Sequence, residues 1–256
     1  GDAGTQNLNR LDKYMRDSFP DLSKVEVQKG ESRATVVYRM RPEAVKEKKR
    51  SAVLQAIETI RNRVDQYGVA EPTITLSGTE QVMVQLPDVT NLDTVKETIG
   101  SVAKLDFRLV ADPSKPIDET VELKSREGGR VRLEDEVLMT GDSVQTASVG
   151  VDPQTNGLEV MLQLNAAGKT IFGRITGDNV GRQLAIILDG VVQSSPVIRD
   201  EISGGNAQIT GGFTREEAHR LAVVLRSGAL PAPLTFEEER TVGATLGADA
   251  IRKGVT

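Results

Sequence analysis

The sequence predicts an α+β protein with a ferredoxin-like βαββαβ order and antiparallel or mixed sheets. Two passages carry that expectation, one before residue 110 and one from residue 159 onward. Each sets alternating strand patterns against amphipathic helices in the order βαββαβ. Composition agrees: hydrophobic residues make up 38% and aromatics only 3%, so the core must be aliphatic rather than stacked rings.

Taken in order, Leu8, Leu11, Met15 and Phe19 recur at helical spacing, and Pro20 stops that helix. Val25 and Val27 alternate with polar neighbours, as do Val36, Tyr38 and Met40. Lys29-Gly30 supplies the hairpin turn between them. Pro42 suits the first turn of a long helix running to Tyr67. Val53, Ile57, Ile60, Val64 and Tyr67 fall on one face of it. The stretch Arg61-Asn-Arg-Val-Asp-Gln-Tyr-Gly-Val-Ala-Glu-Pro72 closes this helix and delivers the chain into a strand. Gly68 can take positive φ past the last turn, and Pro72 biases Glu71 toward an extended conformation. Strands follow at 73–76 and 81–86, then a helix at 94–99 capped by Gly100. A strand at 104–110 alternates Leu105, Phe107 and Leu109 with charged residues.

Ala111-Asp-Pro-Ser-Lys-Pro116 breaks the periodicity with two prolines and marks a domain boundary. Beyond it, 121–124 and 131–133 flank the turn Glu127-Gly-Gly-Arg130. Asn156-Gly157 predicts a type I′ turn with positive φ at both residues. A strand at 159–164 and a helix at 166–176 come next, then strands at 183–188 and 191–193 around Asp189-Gly190. A short strand at 207–209 precedes a helix at 215–226, which opens with the capping box Thr214-Arg-Glu-Glu217 and stops at Gly228. A last strand is expected at 234–242. The two similar orders imply an internal structural repeat. The Gly- and Ala-rich tail from Gly243 reads as an approach to further chain.

A net charge of −5 and few aromatics exclude the basic, ring-lined face of a nucleic-acid binder. No apolar run reaches the roughly 18 residues of a membrane helix. With no cysteine, disulfides, thiolate catalysis and Cys-type zinc sites are absent. Gln163-Leu-Asn-Ala-Ala-Gly-Lys-Thr170 imitates a phosphate-binding loop, but Gln163 stands where that loop needs its first glycine. Asp189-Gly190 is likewise a hairpin turn rather than a magnesium ligand at a parallel strand end. Asp152-Pro-Gln-Thr-Asn-Gly157 has a calcium-loop look, yet Gln163 occupies the position of the bidentate Glu. His219 is the sole histidine and reads as a surface residue. Ser194 and Ser195 have no base that the sequence supplies, and Glu134-Asp-Glu136 and Glu237-Glu-Glu239 read as solvated faces. Gly211-Gly212 ahead of a helix reads as a turn that could also hold an anion. No catalytic, cofactor or metal residue emerges from the pattern, which favours binding or mechanical work over chemistry.

Four stretches resemble the bacterial SecD family of protein-export components: Arg61 to Pro72 with Gln81 to Pro87; Ala103-Lys-Leu-Asp-Phe-Arg-Leu109; Leu138-Met-Thr-Gly-Asp142; and Ile209-Thr-Gly…Leu225-Arg-Ser-Gly-Ala-Leu-Pro231, continued by Glu238-Glu-Arg-Thr-Val-Gly243 and Thr245-Leu-Gly247. The family's Asp-Leu-x-Gly-Gly motif is missing, so the resemblance implies a truncated first base strand. It implies the large first periplasmic domain, with membrane helices expected after residue 256. In that reading residues 1–110 and 230–256 form a base, and 111–229 form an inserted α+β head. Hinge connections are expected at Val110, Ala111 and Asp112 and at Gly228, Leu230 and Pro231. The resemblance further implies a non-enzymatic module without cofactors on the extracytoplasmic side of the bacterial inner membrane. Its implied partners are SecF, the SecYEG channel and unfolded preprotein. Proton-driven swinging of head against base would assist export. A docking scaffold and a nucleotide-binding enzyme are the alternative classes.

Overall fold

A computed structural model of the chain describes residues 2–29, 34–87, 89, 91–153 and 155–238. Helix α1 (Asp2–Ser18) precedes the antiparallel hairpin of β1 (Leu22–Lys29) and β2 (Ala34–Met40). Pro42 opens α2 (Pro42–Gln66), as its fixed φ favours. Gly68 then turns the chain at φ +77 into the hairpin of β3 (Thr73–Ser77) and β4 (Gln81–Gln85). Glu71 is not extended as Pro72 led us to expect. It sits at φ +48, within the six residues that reverse the chain between helix and strand. Helix α3 (Leu92–Gly100) is capped by the Asn91 side chain, which accepts from the Thr94 amide.

The second half supplies most of the sheet. Its strands are β5 (Leu105–Leu109), β6 (Thr120–Ser125), β7 (Arg130–Glu134), β8 (Met139–Thr140), β9 (Val144–Val151), β10 (Leu158–Leu164), β11 (Leu184–Leu188), β12 (Val191–Ser194) and β13 (Asn206–Thr210). Helix α4 (Ala166–Asp178) follows β10. Helix α5 (Arg215–Ser227) follows β13 and opens with the expected capping box. A mixed six-stranded sheet runs β7-β6-β12-β11-β5-β8, with β12 and β6 parallel, and a three-stranded sheet runs β13-β10-β9.

Two main cores result. In the base lobe, Ile57, Ile60 and Val64 of α2 meet Ile74, Val95, Ile99 and Leu230. In the head lobe, Leu105, Phe107, Ile186, Val160, Leu162, Ile209 and Leu221 pack together, and the Phe107 and Phe172 rings meet edge-on at 6.0 Å. The opposite face of the six-stranded sheet buries Leu133, Ala185, Ile187 and Val192. The aliphatic core read from composition is therefore present in both lobes.

Several expectations change. The element order before residue 110 is as read. Among the described residues, however, β1-β2 and β3-β4 are separate two-stranded sheets rather than one ferredoxin-like sheet. Strand β5, placed with the base by its position before Ala111, is hydrogen-bonded between β11 and β8 of the head lobe. Its alternation fits this central place: Leu105, Phe107 and Leu109 face one core, while Asp106 pairs with Lys104 on the other face. The β9–β10 connection runs from 152 to 157, and Gly157 is not at positive φ beside Asn156 (φ +56), so Asn156-Gly157 is not a type I′ turn. Asp189 (φ +50) and Gly190 (φ +77) form such a turn instead. Residues 234–238 are irregular, and the rest of the expected final strand and the tail lie outside the described residues.

Candidate functional site at the junction of the lobes

Two chain segments cross between the lobes side by side. Residues 101–104 lead from α3 to β5, and 228–230 lead out of α5. The Leu230 amide donates to the Val102 carbonyl at 2.8 Å. Arg63 enters from α2, on the face that carries Ile60 and Val64, and is 0% exposed. Its Nη1 donates to the carbonyls of Thr98 (2.9 Å), Ile99 (2.8 Å) and Ser101 (2.5 Å), and its Nη2 to that of Gly228 (3.0 Å). Thr98 and Ile99 stand in the last turn of α3, where carbonyls lack helical partners and the helix end is partly negative. One buried cation thus caps α3 and ties both crossing segments. Burial pushes the Arg63 guanidinium down to about 10, and the charge of Asp189 pulls it back upward.

Asp189 approaches the same segment from the head. Its Oδ2 accepts from the Ser101 hydroxyl and the Ala103 amide, both at 3.2 Å, and its Oδ1 from the Lys104 amide at 2.8 Å. The Asp189 amide donates back to the Lys104 carbonyl at 3.0 Å. Between these bonds Ala103 is held at φ +61, a left-handed conformation unfavourable by about 1 kcal/mol for a residue with a Cβ.

The expected hinge residues separate into two groups. Gly228, at φ +82, and buried Leu230 lie at the crossing, with exposed Pro231 just beyond. Val110, Ala111 and Asp112 are stitched into the head lobe. Val110 donates to Gln183 and bridges Leu133, and Ala111 donates to Arg132. The Asp112 carboxylate is held below the usual range by the Ser114 hydroxyl and amide. The structural neighbour of 228–230 is 101–104, one strand earlier than expected. Gly100 was the only local signal for it.

Beside the joint, α3 and α5 flank an open groove of about 300 Å³. Leu188, Phe213, Leu221 and Val224 give it an apolar lining. Arg126, Glu217, Glu97 and Arg220 bring charge of both signs into the same lining. Arg220 pairs with Glu97 across the lobes at 2.5 Å, and Arg126 pairs with Glu217 at 2.9 Å while lying 4.5 Å from the Phe213 ring centroid. Arg226 to Gln66 (2.8 Å) and an edge contact of His219 with Tyr67 also join the lobes.

The motifs that imitate reactive sites are engaged elsewhere. In the phosphate-loop imitation the Asn165 side chain caps the Gly168 amide, and a Cβ at Gly168 would lie 2.8 Å from the Ser143 carbonyl. The space a phosphate would need is backbone. The α5 N-terminus is met by its own Glu217 carboxylate, which accepts from the Thr214 amide. The Asp152 loop closes on itself through Thr155 and Gly157. Glu134 is not a solvated-face residue: it is mostly buried and paired with Arg182 and Lys115. Among the described residues no group of three or more His, Cys, Asp or Glu could hold a metal ion. No described helix is long and apolar enough to cross a membrane.

Comparison with known proteins also divides the chain in two, with the break between residues 112 and 118 rather than ahead of β5. Residues 118–232 match the family described as SecDF, P1 head subdomain. Residues 53–112 match that described as protein translocase subunit SecDF, P1 domain, N-terminal. The protein translocase subunit SecD of Syntrophobacter fumaroxidans is 40% identical, over 98% of this chain and 51% of the relative. That of Magnetococcus marinus is 44% identical, over 80% of this chain and 42% of the relative. The chain therefore spans about half the length of these curated relatives. A solved structure described as a membrane component SecDF that enhances protein export is similar with a TM-score of 0.64 and 33% identity, covering 75% of this chain and 94% of that one. A SecDF crystal structure in a super-membrane-facing form gives a TM-score of 0.66 at 35% identity, over 80% of this chain and 30% of that one.

Proposed function

The chain belongs to the SecD family of protein translocase subunits, and from that membership we propose that it grips unfolded preprotein on the extracytoplasmic side of the inner membrane. The observation that carries the reading is the groove between α3 and α5. Apolar side chains and charges of both signs line it together, and its walls come from both lobes. Such a site accepts many sequences, because apolar burial is non-directional and the mixed charge disfavours neither acidic nor basic segments. No step of chemistry is required of it. A captured chain cannot slide back, and movement of the head against the base changes the width of the groove and hence the grip. In the whole protein, partnership with SecF and the SecYEG channel supplies the proton-driven reset.

Binding of a reduced, permanently unfolded secretory protein, followed by fluorescence anisotropy, tests this reading. Phe213→Glu is expected to weaken binding about tenfold, while Glu122→Ala on the far strand β6 leaves it unchanged. Equal binding by wild type and Phe213→Glu would remove the groove from the mechanism. Head and base joined by an engineered disulfide in the full-length protein should slow export; unchanged export counts against the swing.

A further inference from the structure

We propose that Arg63 is the fixed pivot of the joint between base and head and that Asp189 is its releasable latch. On this view the head swings by surrendering the Asp189 contacts while those of Arg63 persist. This rests on the reading that the lobes move.

The two residues grip the same crossing segment from opposite lobes, but in different surroundings. Arg63 is wholly buried, and its two terminal nitrogens reach carbonyls on both crossing segments. Withdrawing it would leave a cation and the buried ends of α3 without partners, so its bonds hold in any arrangement of the lobes. Asp189 sits on an exposed hairpin turn and its three acceptor contacts are 2.8–3.2 Å long. Water replaces such contacts at little cost. The other polar ties between the lobes, Arg220 to Glu97 and Arg226 to Gln66, are exposed as well. The strained Ala103 lies under the latch, between Ser101 and Lys104. Once the Asp189 carboxylate leaves, Ala103 is held left-handed only through its neighbours, by the backbone bonds of Leu230 to Val102 and of Asp189 to Lys104. Relaxation of that residue turns the direction in which the chain enters β5, and with it the head. The buried end of the joint therefore sets where the head rotates, and the wet end sets whether it does.

The chain has no cysteine, so paired spin labels at Asn62→Cys on α2 and Arg174→Cys on α4 report the distance between lobes by pulsed dipolar spectroscopy. Asp189→Asn keeps a residue that tolerates the left-handed turn but aims an amide nitrogen at the Ala103 amide. Wild type is expected to show one dominant distance with a minor second population, and Asp189→Asn to raise the second at least fivefold. Arg63→Lys, which can reach only one crossing segment, is expected to smear both distances into a broad distribution. If wild type and Asp189→Asn share the same two populations, the latch is wrong although the head moves. If Arg63→Lys keeps both peaks sharp, the pivot is wrong. A single unchanged distance in all three proteins would overturn this inference and the moving head together.

Discussion

Replacing Arg63 with Met keeps side-chain volume and removes the guanidinium donors that hold four carbonyls at the joint. The consequence can be worked from the four carbonyls. Gly228 is exposed and Ser101 half-buried, so water can serve both. Thr98 is 1% exposed and Ile99 5%, and their carbonyls lose the Arg63 bonds that now satisfy them. An unsatisfied buried group costs about 1–3 kcal/mol. Burying a thioether instead of a guanidinium recovers part of the cost of desolvation. The expected net loss is about 3 kcal/mol, which for a domain of this size is a melting temperature lower by about 6–12 °C. Arg63→Lys keeps the charge but cannot bridge Nη1 and Nη2 acceptors at once, so it should lose about half as much. Urea unfolding followed by far-UV circular dichroism reads both, with the slope against denaturant as the check that the unfolded states match. Arg63→Met within 0.5 kcal/mol of wild type would refute the carbonyl argument. Arg63→Lys as stable as wild type would refute the claim that the two-segment reach depends on the fork of the guanidinium.

Burial raises the Glu159 carboxyl above its ordinary value, with the Asp152 charge adding to the effect, and Oε2 finds no partner among the described residues. The cost of ionising it grows as pH rises past the unfolded value of 4.5, so Glu159→Gln should raise the melting temperature by about 2–4 °C at pH 7.5, equivalent to about 1 kcal/mol, and by nothing at pH 4. Glu134 runs the other way: burial pushes it up, but Arg182 and Lys115 outweigh that and hold it below 4.5. Its stabilisation is complete above pH 4.5 and lost as pH falls through the lowered value, so Glu134→Gln should cost about 1 kcal/mol at pH 7, and the gap should close in acid. Gly168→Ala drives a Cβ against the Ser143 backbone and should destabilise by about 1–3 kcal/mol in the same urea assay, although alanine is the better helix former; a neutral result would mean that the turn at 141–143 yields.

The elements were legible in the sequence wherever one local rule decided them. Periodicity located α2, α4 and α5, a capping box opened α5, and Pro42 opened α2. Strand β9 escaped because Val-Gln-Thr-Ala-Ser-Val-Gly-Val carries small and polar side chains on a sheet whose outer face is not buried. Its only deeply packed residue is Ala147. The resemblance to the SecD family held, and the α+β class with it. Pairing between strands was not legible. Order alone cannot say that β5 joins β11, since that choice depends on Phe107 meeting Phe172 across a core assembled from residues 65 positions apart in sequence.

That unread pairing is also why the joint lies one strand earlier than the prolines indicated. Pro113 and Pro116 mark where periodicity stops, but a break in pattern is not a break between bodies. Mechanically the two differ. A strand that is hydrogen-bonded on both sides belongs with its sheet, so β5 carries the start of the head lobe back to residue 105, and in the proposed swing the freedom to turn lies in the residues before it. Those residues show no flexible composition: Ser101, Val102 and Ala103 are ordinary, and Ala103 is 3% exposed. Their conformation is imposed from outside by a carboxylate from one lobe and a guanidinium from the other. A joint of that kind is set by its clamps rather than by its own sequence, so in the proposed swing substitutions at Arg63 and Asp189 should alter the distance between the lobes more than prolines or glycines placed at 111–116.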